Sequence, residues 1–254
     1  MKPALLLFLS CLLFCSCRSS RSMQKEINPI KVSLFYELTS PEYLGSVNKT
    51  VYLDFIDYSN LDYYTTVKKK GAFAVPLLLF NYEKNRFTVR LGESSLTQTY
   101  REFLTEALLS ECNSSTSFNL IDNSKGEAPD SVYHLAVKIV CNQTRGKINL
   151  IESSMIWFDP GYIVFPNHRA GMANTDLSIV LRLTRGEDCL LDKTYRVNHS
   201  QEGPQHGFED SVQANEACLN TMAECLSQAT KEIVENISRE INLVLASPQL
   251  PITG

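Results

Sequence analysis

One long apolar stripe near the end of the chain constrains the fold more than any other feature of the sequence. Between about Asp210 and Ala246, apolar residues recur at every third or fourth position: Leu219, Met222, Leu226, Ala229, Ile233, Ile237, Ile241 and Val244. This spacing predicts a single long amphipathic helix, with acidic Glu209 and Asp210 at its start, as the helix dipole favours. Because an amphipathic stripe is stable only when it is covered, the fold must supply an extended apolar face, such as that of a β-sheet.

A second amphipathic helix is predicted to begin at SSLTQ. Ser95 is expected to cap it, and Gln98 three residues later would complete a capping box. Apolar residues then follow at helical spacing, namely Leu96, Tyr100, Phe103, Leu104, Ala107, Leu108 and Cys112. We expect the two helices to lie side by side on one face of a sheet, with Leu104 and Ile233 both buried.

Most of the remaining chain has the alternating pattern of β-strands. Strands are predicted at 30–38, 50–57, 118–121, 132–141 and 175–184, and the segment after RGED completes a hairpin. In the second of these strands, Val51, Leu53 and Phe55 are expected to share one face. Residues 58–70 are expected to form a loop. The two apolar runs around EKN at 83–85 predict another hairpin, in which Pro76 confines the first arm to an edge or a bulge.

This order of elements predicts an α+β fold. We expect a two-layer sandwich in which a mixed or antiparallel sheet carries the two long helices on one face. No internal repeat is visible in the sequence.

The start of the chain has the pattern of an export signal. Residues 4–14 are apolar but fall short of the about 20 residues that span a bilayer, which is typical of a signal peptide. The small residues Cys15 and Ser16 stand directly before Cys17, and this resembles the lipobox of bacterial lipoproteins, whose leader is cut just before a cysteine that receives lipid. A plain signal peptide with incidental cysteines is the alternative.

The predicted organisation follows from this leader. We expect a lipoprotein signal peptide at 1–16, lipid on Cys17, a polar tether at 17–29, one domain at 30–246 and a flexible tail at 247–254. The net charge is −4, and loss of Lys2 with the leader makes it more negative. This is too acidic for a nucleic-acid binder that acts through a phosphate footprint.

The cysteines beyond Cys17 do not form a recognisable framework. They are Cys112, Cys141, Cys189, Cys218 and Cys225, an odd number at irregular spacing. We expect small core residues, although one disulfide is possible in an exported protein.

The sequence contains no P-loop, G-x-S-x-G or H-E-x-x-H motif. His134 and Cys141 are expected on opposite faces of their strand, and Asp54 and Asp57 as edge or loop charges. A polar loop is favoured over a metal site for His199, Glu202, His206, Glu209 and Asp210, whose spacing matches no recognised ligand set. The KKK run at 68–70 is expected to be solvated rather than bound to anionic headgroups. We therefore predict no catalytic residue, no metal and no cofactor.

Four segments resemble a group of bacterial envelope lipoproteins that includes the LptE, YajG-like and PqiC-like (ABC-transport auxiliary) families. These segments are TVYLDFIDYSN, the helix-then-strand step SLTQTYREFLTEALLSECNSSTSFNLID, VYHLAVKIV leading to TDLSIVLRLTRGEDCLLDKTYRV, and ANEACLNTMAECLSQATKEIVENI. The resemblance implies a non-catalytic protein. LptE-like domains plug and scaffold an outer-membrane barrel, and PqiC-like members assist a lipid-transport complex. Residues 59–93 and 149–173 depart from the shared pattern and are expected to be insertions.

The second insertion concentrates aromatic residues around a DPG turn. It contains Trp157, which is the only tryptophan, together with Phe158, Tyr162 and Phe165. Aromatic side chains are prominent in interface hot spots and at membrane interfaces, so these four are candidates for a partner or membrane contact. The alternative is a strand pair that packs on the core.

Taken with the resemblance, the sequence favours a lipid-anchored, non-catalytic lipoprotein of the outer membrane that faces the periplasm. Its expected role is that of a scaffold or accessory in outer-membrane assembly or lipid transport, with an envelope protein as partner. One alternative is a lipoprotein module that binds a periplasmic ligand or glycan. A third hypothesis is a hydrolase with an unrecognised site.

Overall fold

A computed structural model of the chain describes residues 19–38, 49–58, 63–77, 80–129, 132–157 and 161–247. The predicted signal peptide, Cys17, Phe158 and nearly all of the predicted tail lie outside these residues. The side chains at 76, 156, 157, 161 and 162 are likewise not described.

The described residues form three α-helices and nine β-strands. In chain order they are α1 (Ser20–Ile27), β1 (Thr50–Leu53), β2 (Thr66–Pro76), β3 (Phe80–Arg90), α2 (Tyr100–Ser115), β4 (Asn119–Asp122), β5 (Tyr133–Trp157), β6 (Gly161–Pro166), β7 (Arg169–Ala170), β8 (Ala173–Arg185), β9 (Asp188–Gln201) and α3 (Ser211–Ala246). All nine strands belong to one mixed sheet. The predicted α+β class is therefore confirmed.

The 25-residue strand β5 joins two parts of this sheet. Its first half pairs in parallel with β1 on one side and antiparallel with β8 on the other. β1 in turn pairs with β4, and β8 pairs with β9. Its second half pairs with β3 on one side and with β6 and β7 on the other. We call the part formed by β2, β3, the second half of β5, β6 and β7 the wing.

The two long helices cover one face of the sheet, which we call the inner face. α3 packs against β5, β8 and β9, and it contacts α2. The Tyr100 hydroxyl of α2 and the Thr230 hydroxyl of α3 lie 2.9 Å apart in the buried interface. Leu104 and Ile233 are both fully buried, as the two amphipathic patterns predicted.

Gly146 allows α3 to approach the sheet closely. A Cβ atom at this position would lie 2.6 Å from Met222 Sδ and 2.7 Å from Cys218 Sγ. Since non-bonded contacts this short essentially never occur for a Cβ atom, a side chain at this position requires Met222 and Cys218 to move. Gly146 lies near the middle of β5, where the wing begins.

The tether predicted before the domain is wrong over Ser20–Ile27. This segment is α1, whose first turn is capped by the Ser19 hydroxyl, and Met23 and Ile27 are fully buried. Gln24 also donates a hydrogen bond to the Thr65 carbonyl oxygen at 2.7 Å. The physical reason is that two apolar side chains four residues apart provide one helical face even in a polar segment.

The start of α2 differs from the prediction by several residues. Thr99, rather than Ser95, is the N-cap, and Glu102 completes the capping box in place of Gln98. Ser95 is instead buried and accepts a hydrogen bond from the Thr65 hydroxyl at 2.8 Å. A second capping sequence of the same type therefore lies four residues further on, and it is this one that begins the helix.

The β2–β3 hairpin turns earlier than expected. Leu77 and Phe80 exchange backbone hydrogen bonds at the end of the hairpin, and EKN at 83–85 lies within β3, where it pairs with both β2 and β5. The predicted loop at 58–70 is also too long, because β2 begins at Thr66. β2 is an edge strand that ends at Pro76, in agreement with the expectation for a proline in a sheet.

The prediction that Phe55 shares a face with Val51 and Leu53 is wrong. β1 ends at Leu53, and the chain beyond it buries Ile56 and leaves Phe55 exposed. The Arg101 guanidinium lies over the Phe55 ring at 3.9 Å and over the Tyr58 ring at 4.0 Å, so the cation contacts both aromatic rings.

Candidate functional site

The alternation of polar and apolar residues in β3 reverses its phase midway along the strand. Near α3, Phe87 and Val89 are buried on the inner face. Towards the hairpin turn, the apolar residues are Phe80 and Tyr82, which lie an odd number of positions away and therefore face outward. Phe80 is 40% exposed.

β5 repeats this reversal at the positions that face β3. Ile148 and Leu150 are buried on the inner face, whereas Ile151 and Met155 are on the outer face. Met155 is directly opposite Phe80 in the register of the two strands. The change of face is therefore a property of the wing and not of one strand.

The two flanking strands extend the apolar surface. On β2, Phe73 pairs with Lys84 and Val75 with Tyr82; on β6, Ile163 pairs with Met155 and Phe165 with Ser153. Large exposed fractions are found for Phe73 (58%), Phe165 (51%) and Ile163 (42%), and the Phe73 and Tyr82 rings meet edge-on with centroids 6.3 Å apart. We call the outer-face set Phe73, Val75, Phe80, Tyr82, Ile151, Met155, Ile163 and Phe165 the wing tip.

On β3 and β5, the inner face behind the wing tip is polar. Glu83, Asn85 and Ser154 are buried there, and the Asn85 amide donates a hydrogen bond to Glu83 Oε1 at 2.5 Å. Glu152 pairs with Glu83 across the two strands. This end of the sheet thus buries polar side chains and exposes apolar ones, which is the reverse of what packing against a core requires.

Three of the four residues predicted as a contact surface lie on strands of the wing. Phe165 belongs to the wing tip, and the backbones of Trp157 and Tyr162 lie in β5 and β6, respectively. The side chains of these last two, and Phe158 altogether, are outside the description. The sequence prediction missed the aromatic residues of the β2–β3 hairpin, although the reversed alternation in FNYEKNRFTVR was a signal for them.

The other candidate residues do not assemble into a reactive site. A β-bulge between Ile139 and Cys141 shifts the alternation of β5, so His134 and Cys141 both lie on the outer face, contrary to the prediction. They remain seven residues apart along the strand. His134 Nδ1 lies 3.1 Å from Asp54 Oδ1, and its Nε2 lies 3.0 Å from the Pro129 carbonyl oxygen, so both ring nitrogens have partners.

The polar segment before α3 has structural contacts. Asp210 caps α3 by accepting a hydrogen bond from the Val212 amide at 2.9 Å, and the His206 and Phe208 rings make a tilted contact with centroids 4.7 Å apart. Glu202 accepts a hydrogen bond from Gln205 at 3.0 Å. Within the described ranges, no group of three or more His, Cys, Asp or Glu side chains could hold a metal ion.

All five cysteines that the structure describes are free thiols. Burial raises the pKa of Cys218 to about 12, and it also raises the pKa values of Cys112 and Cys225. These thiols therefore stay protonated at neutral pH, as expected for core residues. Among the described helices, none is long and apolar enough to cross a membrane.

No family profile and no curated protein matches the sequence. Among solved structures, the chain is similar to protein XCC0632 of Xanthomonas campestris, which belongs to the family DUF330. The TM-score is 0.48 and the sequence identity is 10%, and the match covers 84% of this chain and 95% of the other. It is also similar to the hypothetical protein CT253 of Chlamydia trachomatis, with a TM-score of 0.39, 11% identity and coverage of 79% and 99%.

A third similar structure is a candidate homolog of the neuraminyllactose-binding hemagglutinin from Helicobacter pylori, with a TM-score of 0.36, 12% identity and coverage of 83% and 92%. At these identities and TM-scores, the similarities assign neither a family nor an activity to the chain.

Proposed function

We propose that this chain is a lipid-anchored, non-catalytic accessory protein of the bacterial outer membrane, and that the wing tip is its contact surface. The observation that carries the proposal is the reversed wing, in which apolar side chains from four strands lie together on the outer face.

A contiguous exposed apolar surface is a specific physical signal. Single exposed apolar residues are common, but a large patch that contains several aromatic rings marks a site that another surface covers. Aromatic side chains also dominate binding hot spots, because they bury much apolar area with few rotatable bonds. The wing tip has three exposed or partly exposed rings on the β2–β3 hairpin and one on β6.

The position of the predicted anchor supports a location at the membrane. Cys17 precedes Ser19, the N-cap of α1, by two residues, which span at most about 7 Å when extended. Because Met23 and Ile27 pack α1 into the domain, lipid on Cys17 would hold the domain close to the bilayer. Two or more acyl chains are needed for stable anchoring.

The test is complementation of a deletion strain, with outer-membrane permeability to an apolar dye as the readout. We expect the wild-type gene to restore the barrier and Cys17→Ser to fail, because its product is released from membranes or left unprocessed. Phe80→Ser combined with Phe165→Ser should also fail while the protein remains lipidated and folded.

The matched control is Phe35→Ser combined with Leu243→Ser, which removes two exposed apolar side chains away from the wing. It should complement normally. A deletion that leaves permeability unchanged, or a Cys17→Ser protein that still carries metabolic lipid label, would overturn the proposed function.

A further inference from the structure

The outer face of the sheet changes from apolar to basic directly behind the wing tip. Arg86, Asn149 and Arg169 form one row across β3, β5 and β7, and Lys147 lies in the next row, opposite Thr88. Lys84 lies within the last row of the tip, opposite Phe73. We call the following six outer-face residues the basic rows: Lys84, Arg86, Arg145, Lys147, Arg169 and Arg196.

The basic rows give this face an excess of positive charge. Within the part of the chain that the structure describes, none of the six forms an ion pair with a carboxylate. The alternation of β3, β5, β7 and the facing part of β8 places one acidic residue, Asp176, on this face. The whole chain carries a net charge of −4. The positive charge of this face is therefore opposite in sign to the net charge of the chain.

We propose that the outer face of the wing docks on a phospholipid bilayer that contains anionic headgroups, with the wing tip in the interface and the basic rows against the headgroups. The proposal rests on the proposed function, because the lipid anchor brings the wing to the bilayer. Peripheral proteins bury apolar side chains about 5–10 Å deep and gain attraction from neighbouring Lys and Arg residues.

The spacing of the rows fits this arrangement. Outer-face positions follow one another about 7 Å apart along a strand, so Arg86 lies one row behind Lys84 and about 20 Å behind the wing-tip residue Phe80. Apolar side chains therefore come first and cations second along the strand, which is the order of the hydrocarbon boundary and the headgroup layer. An acidic protein surface would complement the cations alone, and it is the alternative outcome of the test.

The single tryptophan provides the probe. Trp157 ends β5 beside the wing tip, and no other tryptophan contributes to the fluorescence. The lipidated full-length mature protein would be reconstituted into vesicles of phosphatidylcholine alone or with about one third phosphatidylglycerol, with bromine on the acyl chains. We expect quenching and a blue shift of the Trp157 emission in the anionic vesicles, and loss of both when salt shortens the Debye length to about 3 Å.

Charge-reversal variants test the basic rows. Arg86→Glu combined with Lys147→Glu should lower the ratio of docked to undocked protein by at least about 25-fold, because each cation removed lowers it roughly fivefold. Lys125→Glu combined with Arg239→Glu makes the same charge change at exposed sites elsewhere and should leave the quenching unchanged. Circular dichroism would show that all variants are folded.

Three outcomes would overturn the proposal. They are equal quenching in neutral vesicles, no quenching in either kind of vesicle, and no effect of Arg86→Glu with Lys147→Glu. In each of these cases the protein is still anchored in the vesicles, so the proposed function survives and the wing tip is left as a surface for a protein partner.

Discussion

At the scale of single residues, Gly146 controls how closely α3 packs on the sheet. The sulfur atoms of Met222 and Cys218 occupy the space that any side chain at this position would need. Both sulfurs belong to fully or almost fully buried residues. Because both residues are buried, any movement of these sulfurs disturbs the packing around them.

Gly146→Val should therefore destabilise the protein by about 1–3 kcal/mol or more, as overpacking of a core does. The measurement is the free energy of unfolding in urea. Ala136→Val is the matched control, because Ala136 is exposed on the outer face of the same strand, and it should stay within about 0.5 kcal/mol of the wild type. Equal stability of the two variants would show that α3 is not packed on Gly146.

Glu240 links the end of α3 to β9. Its carboxylate accepts a hydrogen bond from the Tyr195 hydroxyl at 2.7 Å and another from the Lys193 ammonium. Burial raises the pKa of Glu240, but these hydrogen bonds outweigh that effect, and the pKa is held below the ordinary value of 4.5. The carboxylate is therefore stabilised more in the folded chain than in the unfolded one.

The sign of the pH dependence follows from this shift. A carboxyl group with a depressed pKa contributes stability above its unfolded pKa, and this contribution is lost as the pH falls through the folded pKa. Between neutral pH and a pH below 4.5, the melting temperature of the wild type should fall more than that of Glu240→Gln. A parallel decline of the two proteins would contradict the assignment.

At the scale of the elements, α1 is part of the domain. Met23→Ala should cost about 2–5 kcal/mol of unfolding free energy, which is typical when a buried large side chain is truncated. Lys25→Ala is the control, because Lys25 is exposed on the same helix. If both variants unfold at the same urea concentration, α1 does not contribute to the stability of the domain.

Some elements could be predicted from the sequence because their periodicity is unbroken. The predicted final helix, from about Asp210 to Ala246, agrees with α3, and the strand predicted at 175–184 agrees with β8. α1 was missed because its apolar face contains two residues in a polar segment. The strand predicted at 132–141 covers only the first part of β5. The alternation of apolar residues is lost over Cys141–Gly146, where pairing with β3 and β8 keeps the chain extended.

The wing tip could be predicted only in part. In β3 and β5, the apolar residues change from one face to the other midway along the strand. The alternation of apolar and polar residues is therefore not continuous over the strand, and it predicts the strand and its buried face only weakly. Only the register shows that the reversals lie opposite each other and that β2 and β6 continue the same surface. The concentration of aromatic residues at 157–165 was visible in the sequence, but the aromatic residues of the β2–β3 hairpin were not associated with it.

At the scale of the whole molecule, one sheet serves two purposes. Its inner face supports the helices around Leu104 and Ile233, and the wing extends the sheet from the point at which β5 passes Gly146. The regions predicted as insertions, 59–93 and 149–173, supply β2, β3 and the distal part of β5 together with β6 and β7. The segments outside the resemblance are therefore those that build the proposed contact surface.

The central claim is that the wing tip is covered in the envelope and free in the purified protein. Hydroxyl-radical footprinting measures this directly, by comparing oxidation of Phe73, Phe80 and Met155 in outer-membrane preparations with that in purified, non-lipidated Cys17→Ser protein in buffer without detergent. Phe35 and Leu243, which are exposed away from the wing, are internal references. The account predicts that the three wing-tip residues are protected in membranes, while the two references are oxidised equally in both samples. Equal oxidation of the wing tip in both samples would contradict it.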